Sequence, residues 1–177
     1  MPAGRQRGNA FPAGQLRRRP ERASDEAFCF QLFCQSRSPG DDFSFLDPQL
    51  RDQLMRQQFA GQSASYRAQY PNARFEIVEL DASPIGRIIT DRTPEALLVI
   101  DVALDVPCRN RGIGTALMRR VIGEAYAAGL PVRLSVFASN SAARRFYLCL
   151  GFKAVGSSEI NTTLEWREPP YSEERMR

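Results

Sequence analysis

Apolar and polar positions along this chain follow two periods in turn, and their order sets the expected elements. A short strand is read over Gln15–Arg19, closed by Pro20. Ser24 and Asp25 are candidate caps for a helix carrying Phe28, Leu32 and Phe33 on one face, and Ser38-Pro39-Gly40 stops it. Asp47 as N-cap and Pro48 at the first helical position open a second helix, with Leu50, Leu54, Met55 and Phe59 at helical spacing. Gly61 is expected to interrupt it, and a further helical stretch through Tyr66 to end at the turn Tyr70-Pro71-Asn72.

The period then shortens to two. Phe75–Leu80 and Ile85–Thr90 read as the strands of a β-hairpin joined through Asp81-Ala82-Ser83-Pro84. After a turn at 91–94, Ala96–Leu104 is a long apolar strand broken only by Asp101, the pattern of a strand covered on both faces. Apolar residues at 117, 118, 121, 122 and 125 mark an amphipathic helix that ends at Gly129, and Val132–Val136 is the next strand. Strand, glycine loop, helix and strand in that order favour adjacent parallel strands with a right-handed crossover. Asn140 can cap a short helix that Gly151 ends, with Phe146 and Leu150 on one face, and Thr162–Trp166 reads as a last strand. Alternating strands and helices place the chain in the α/β (α+β) class.

Composition narrows the functional classes. With 177 residues and 43% hydrophobic content the chain suits one domain with a real core. The expected division is a basic N-terminal arm over 1–22, which includes part of the first strand, a single domain over 23–170 and a tail over 171–177. Apolar runs such as Leu97–Ile100 fall far short of the ~20 residues a membrane helix needs, so no membrane span is expected. There is no secretory h-region, no histidine and no paired cysteine spacing. The four cysteines therefore read as reduced thiols of a cytoplasmic protein, with no metal site. The net charge of +4 is uneven: residues 1–22 hold six arginines against one acid, so the rest of the chain is close to neutral. A near-neutral body is a poor match to a protein that tracks nucleic-acid phosphates, and the arm is expected to be solvated.

The stretch Cys108-Arg109-Asn110-Arg111-Gly112-Ile113-Gly114-Thr115 lies where a strand gives way to a helix. The first turn of a helix offers backbone N–H groups without intrahelical partners and a partial positive charge, so an anion is its natural guest. Gly112 and Gly114 remove side chains that would hold a phosphate away, and Arg109 and Arg111 add charge at the rim. The set suits a diphosphate; the alternative is a loop that only turns the chain. Leu117 replaces the third glycine of a dinucleotide fingerprint, and no P-loop sequence occurs.

Two stretches in this order, Arg109 through Leu117 and Asn140 through Phe152, resemble the GNAT acyltransferase superfamily. The first is similar to its acyl-coenzyme A signature, with Arg109, Gly112 and Gly114 at the defining positions, and the second to its later segment containing Asn140, Tyr147 and Gly151-Phe152. The resemblance implies the GNAT fold, a mixed central β-sheet flanked by helices on both faces, whose strands before the two motifs splay apart to admit a pantetheine arm. It implies that backbone groups of Val102 and Leu104 pair with that arm, and that amides of Arg109, Asn110, Arg111, Gly112, Ile113, Gly114 and Thr115 hold the diphosphate. Asn140 would contact the cofactor further along, and Tyr147 would protonate the departing thiolate; a core tyrosine with a bonded hydroxyl is the alternative.

Leu98 stands about where several members place a glutamate base, so no acid matches there. Asp101 on the same strand is the first candidate; a buried structural carboxylate is the competing reading, and Glu79, Glu95 or an ordered water are further sources of a base. The expectation is an acetyl-coenzyme A-dependent N-acetyltransferase, monomeric or homodimeric, acting on a small-molecule or peptide amine. The alternative is a GNAT-fold sensor that binds acyl-coenzyme A without turnover.

Overall fold

A computed structural model of the chain describes residues 16–37 and 43–168. The basic residues before Leu16, the Ser38-Pro39-Gly40 stop and the tail lie outside the described residues. The chain forms two compact units, one from residues up to 89 together with 101–116, the other from 90–100 together with 117 onward. Strands β1 (Leu16–Pro20), β2 (Arg74–Leu80), β3 (Ser83–Arg92), β4 (Leu97–Leu104), β5 (Val132–Phe137), β6 (Lys153–Ser157) and β7 (Asn161–Trp166) form a mixed seven-stranded sheet in the order β1-β2-β3-β4-β5-β7-β6. With the helices described below, this is the class expected from the alternating pattern.

In the first unit, β1 pairs antiparallel with β2 from Leu16↔Leu80 to Pro20↔Glu76. Two arginines of β1 meet acids: Arg18 lies 3.6 Å from Glu76, and Arg19 reaches Asp25 at 2.7 Å and Glu79 at 2.6 Å. Part of the basic leader is thereby neutralised inside the fold. Helix α1 (Glu26–Gln35) follows a 3-10 turn at Ala23–Asp25. Asp25 holds the N-cap position as expected, but its carboxylate does not cap α1. Both its oxygens instead accept from Arg19, and one also accepts from the Arg22 N–H.

Helix α2 is one uninterrupted helix, Pro48–Gln69, opened by the Asp47 carboxylate accepting from the Gln49 N–H at 2.9 Å. The expected break at Gly61 does not occur: the glycine costs a helix only about 1 kcal/mol, and Met55 and Phe59 earlier in the same helix are anchored. They pack with Cys29, Phe33 and Ile77 into one apolar cluster, each large side chain contributing roughly 1.5–3 kcal/mol on burial. The Phe59 ring lies 5.6 Å from Phe33 and 5.7 Å from Phe30.

The hairpin turn is tighter than expected. Only Asp81 and Ala82 make it, both with positive φ (50° and 64°), and Ser83-Pro84 already belong to β3. Gly86 is required by close approach, because a Cβ there would sit 2.6 Å from the Ala103 carbonyl oxygen.

In the second unit, the start of β4 pairs parallel with β5 from Leu97↔Val132 to Val99↔Leu134. β5 pairs antiparallel with β7, and β7 with β6 across a bulge between Ala154 and Gly156. β6 is the strand that hydrophobic patterning did not reveal, since every one of its residues is exposed. β4 departs from the doubly covered strand that was expected: Leu97 and Val99 are buried, and Ile100–Leu104 are only half-buried. Helix α3 (Ile113–Ala127) buries Leu117, Met118, Val121 and Ala125 and closes before Gly129, whose φ is 65°. Helix α4 (Ser141–Cys149) is capped by Asn140, whose side-chain oxygen accepts from the Ala143 N–H. Its most buried side chain is Tyr147, whereas Phe146 and Leu150 are half-buried.

Candidate functional site

The glycine loop is built entirely within the first unit. After β4, a 3-10 turn at Val106–Cys108 leads to Arg109 in an extended conformation, then Asn110 with φ 56° and Gly112 with φ 79°, and α3 begins at Ile113. Asparagine tolerates the left-handed region better than most residues, and glycine occupies it without strain. Gly112 is therefore required for its backbone conformation; a Cβ there would meet no atom within 4 Å. The first intrahelical bond of α3 runs from the Ala116 N–H to the Gly112 carbonyl at 3.0 Å. The amides of Ile113, Gly114 and Thr115 precede it and form the positive end of the helix. Asn110, Arg111 and Gly112 are exposed, so the turn is open to solvent. A helix N-terminus of this kind, entered through a left-handed glycine, fits a diphosphate.

The motif arginines divide their work. Arg111 is exposed, with one guanidinium nitrogen 3.5 Å from the Pro107 carbonyl. Arg109 does not stand at the rim, where it was expected: it is half-buried, its Nε donates to the Leu104 carbonyl at 2.8 Å and a terminal nitrogen donates to the Gln35 carbonyl at 3.3 Å. Its guanidinium fixes the loop from beneath, leaving its backbone as the part that can serve a ligand. Gln35, at the end of α1, is a residue that sequence reasoning missed. Its side-chain amide donates to the Asp105 carboxylate at 2.8 Å and accepts from the Val106 N–H at 3.1 Å, and Gln31 approaches the same carboxylate oxygen at 3.4 Å. The only local signal was the i, i+4 spacing of the two glutamines.

Asp101 lies in the same unit. Burial raises its carboxyl above the ordinary aspartate value, opposed by the positive charge of Arg87 and by a hydrogen bond with the Val102 backbone. Asp105 N–H donates to the Ile85 carbonyl and Gly86 abuts Ala103 and Leu104, so β3 and β4 run antiparallel with Arg87 opposite Ala103. Asp101 is then the diagonal same-face neighbour of Arg87. Arg87 is buried and held by Glu21 at 2.8 Å, and Glu21 also takes Arg67 at 2.9 Å. Tyr66 belongs to this group as well: burial, and after it the charge of Asp101, pushes its phenol up to about 12. Neither Arg87 nor Tyr66 was singled out by motif. Of the other acids considered as bases, Glu79 is committed to Arg19, and Glu95 is exposed in the turn before β4.

In the second unit, Asn140 is exposed and its side chain caps α4 at 3.0 Å from the Ala143 N–H. Tyr147 is buried, its ring edge-on to Phe146 at 5.0 Å and to Phe152 at 5.4 Å. The structure thus brings Val102, Leu104 and residues 109–115 together with Asp101 in one unit, and Asn140 with Tyr147 on one helix of the other. All four cysteines are free, with Cys29 and Cys108 buried and Cys149 exposed. Among the described residues, no group of histidine, cysteine, aspartate and glutamate side chains could hold a metal ion, and no helix is long and apolar enough to cross a membrane.

Residues 34–152 match the profile of the acetyltransferase (GNAT) family. A curated relative, an uncharacterised N-acetyltransferase of Methanocaldococcus jannaschii, is 34% identical over 88 residues, or 48% of this chain and 54% of the relative; the chain spans about half the length of the relative it matches. Among solved structures, the PaiA N-acetyltransferase of Thermoplasma acidophilum in complex with coenzyme A is similar at a TM-score of 0.64 and 17% identity, over 86% of this chain and 99% of that one. An acetyltransferase of Thermus thermophilus is similar at a TM-score of 0.59 and 19% identity, over 86% and 96% of the two chains. At those identities the likeness is one of fold.

Proposed function

Since the chain belongs to the GNAT family of acetyltransferases, we propose that it moves an acetyl group from acetyl-coenzyme A to a primary amine of a small molecule or peptide. The observation that carries this reading is the left-handed Gly112 turn delivering the amides of residues 113–115 at the open start of α3. The coenzyme A bound to the Thermoplasma acidophilum protein of like fold supports it.

Bound acetyl-coenzyme A supplies the acetyl group as a thioester open to attack by a neutral amine. The amides of Arg109, Asn110, Arg111, Gly112, Ile113, Gly114 and Thr115 hold the diphosphate, and Arg111 adds charge from the exposed side. Backbone groups of Val102 and Leu104 are assigned to the pantetheine arm. Arg109 already donates to the Leu104 carbonyl, which leaves that oxygen one further lone pair. Asn140 orients the start of α4 and contacts the cofactor further along. Asp101 takes the proton from the incoming ammonium, a task that suits a carboxyl raised by burial, and Tyr147 delivers a proton to the departing sulfur. The four free thiols are consistent with a reducing, cytoplasmic setting.

The test is Tyr147→Phe, read as a split between rate and affinity. Acetylation of an amine found by screening should slow by about 10²-fold or more while coenzyme A affinity stays within about twofold, since general-acid help is of that order. An unchanged rate would remove Tyr147 from the chemistry. Cofactor binding without turnover of any amine would instead favour the sensor reading.

A further inference from the structure

The C-terminal end of α1 and the entry to the glycine loop are about 70 residues apart in sequence yet share four hydrogen bonds, all through Gln31, Gln35, Asp105, Val106 and Arg109. Asp105 opens the 3-10 turn but its carboxylate makes no capping bond there. Its backbone is pinned instead, the N–H to the Ile85 carbonyl at 2.9 Å and the carbonyl to the Cys108 N–H at 2.8 Å. The carboxylate is thereby turned toward α1. Gln35 meets it with its amide nitrogen and meets the Val106 N–H with its amide oxygen. The reverse orientation would set oxygen against carboxylate and N–H against N–H, so the network fixes the side chain one way. Arg109 completes the link: the Gln35 carbonyl is one of the last four of α1, which have no partner inside the helix, and the cation of the motif arginine donates to it at the negative end of the helix.

We propose that Gln35 is a positioning residue that couples the glycine loop to the end of α1, so that filling the loop with a diphosphate orders the last turn of α1 and loosening that turn weakens diphosphate binding. The two effects are the same coupling free energy seen from either side. This rests on the coenzyme A reading. Neither Gln35 nor Asp105 belongs to the glycine motif, and the coupling reaches the helix that immediately precedes the connection to α2. A ligand on the loop would thus be felt on a face of the protein that the loop does not itself form.

The experiment pairs calorimetry of coenzyme A binding with hydrogen exchange of residues 31–37 in its absence and presence, at pH 8. Gln35→Glu sets a second carboxylate against Asp105 and should weaken coenzyme A about tenfold, within the usual range of such couplings. Gln35→Glu with Asp105→Asn exchanges donor and acceptor, keeps an oxygen for the Val106 N–H and should recover most of the loss. Coenzyme A should protect residues 31–37 in the parent and in the double variant but not in Gln35→Glu. Gln35→Met, uncharged and of similar size, is measured alongside and should also lose that protection. Parent-like affinity in both single variants, or a folded double variant that recovers nothing, would overturn the coupling while leaving the cofactor reading intact. A folded parent that binds no coenzyme A would remove both.

Discussion

Replacing Gly112 by alanine tests whether the site's glycine is there for its backbone or for space. No atom lies within 4 Å of the position a Cβ would take, so alanine creates no clash. It must, however, hold φ near 79°. An L-residue pays about 1–2 kcal/mol in that region. Alanine also restricts the unfolded chain, which returns about 0.4–1 kcal/mol, so the net loss should be close to 1 kcal/mol. With a urea slope of about 2 kcal/mol per molar, the unfolding midpoint should fall by about 0.5 M. Gly112→Asn should lose less, because its short polar side chain supports the left-handed conformation, as Asn110 already does two residues earlier. Gly61→Ala supplies the opposite sign. Gly61 sits within α2 with nothing within 4 Å, so alanine there should gain about 0.5–1 kcal/mol. Urea denaturation followed by circular dichroism reads all three. A Gly112→Ala protein that unfolds at or above the parent midpoint would refute the argument from φ.

Two further outcomes follow from the charged groups. Asp25 is held at about 2, mainly by its hydrogen bonds with Arg19, below the ordinary 3.8. A depressed carboxyl stabilises the fold above its unfolded value and loses that contribution as pH falls through the folded one, here about 2 kcal/mol disappearing between pH 4 and pH 2. The stability gap between the parent and Asp25→Asn should therefore be widest near neutrality and close over that window, and a gap constant with pH would contradict the assignment. For Asp101 the sign is reversed: burial raises the carboxyl, so activity that needs it ionised should fall on an acid limb lying above the ordinary aspartate value. Arg87→Met should move that limb to still higher pH and Asp101→Asn should abolish it, so an acid limb unchanged in Asp101→Asn would exclude this residue as the base.

Features legible in the sequence are those whose cause is local. Asp47-Pro48 opens α2 because one residue supplies a side-chain acceptor and the next a preset φ. Asn140 likewise supplies a side-chain acceptor that caps α4, and the change from period 3.6 to period 2 marks β2 and β3. Where distant residues decide, reading fails. β6 exposes both faces and carries Gly156, so nothing alternates; it is a strand because β7 pairs with it. Gly61 looks like a break because its local cost is visible in the sequence while the anchoring of Met55 and Phe59 is not. At the site, the strand–glycine–helix order and the residues of the loop were readable. The inward turn of Arg109 was not, because its partners are carbonyls whose positions depend on how α1 meets the loop. Gln35 and Asp105 carry no motif at all, and Arg87 becomes Asp101's neighbour only through the register of β3 on β4.

The measurement that bears most directly on the central claim is calorimetric titration of the folded protein with acetyl-coenzyme A, repeated with Gly112→Asp and Gly114→Asp. Both substitutions place a negative charge where the diphosphate would sit. Saturable binding by the parent, lost in both variants while their thermal unfolding stays cooperative, is the predicted result. A folded parent that takes up no acetyl-coenzyme A, or binding that survives both substitutions, would contradict the assignment of the glycine loop as the cofactor site.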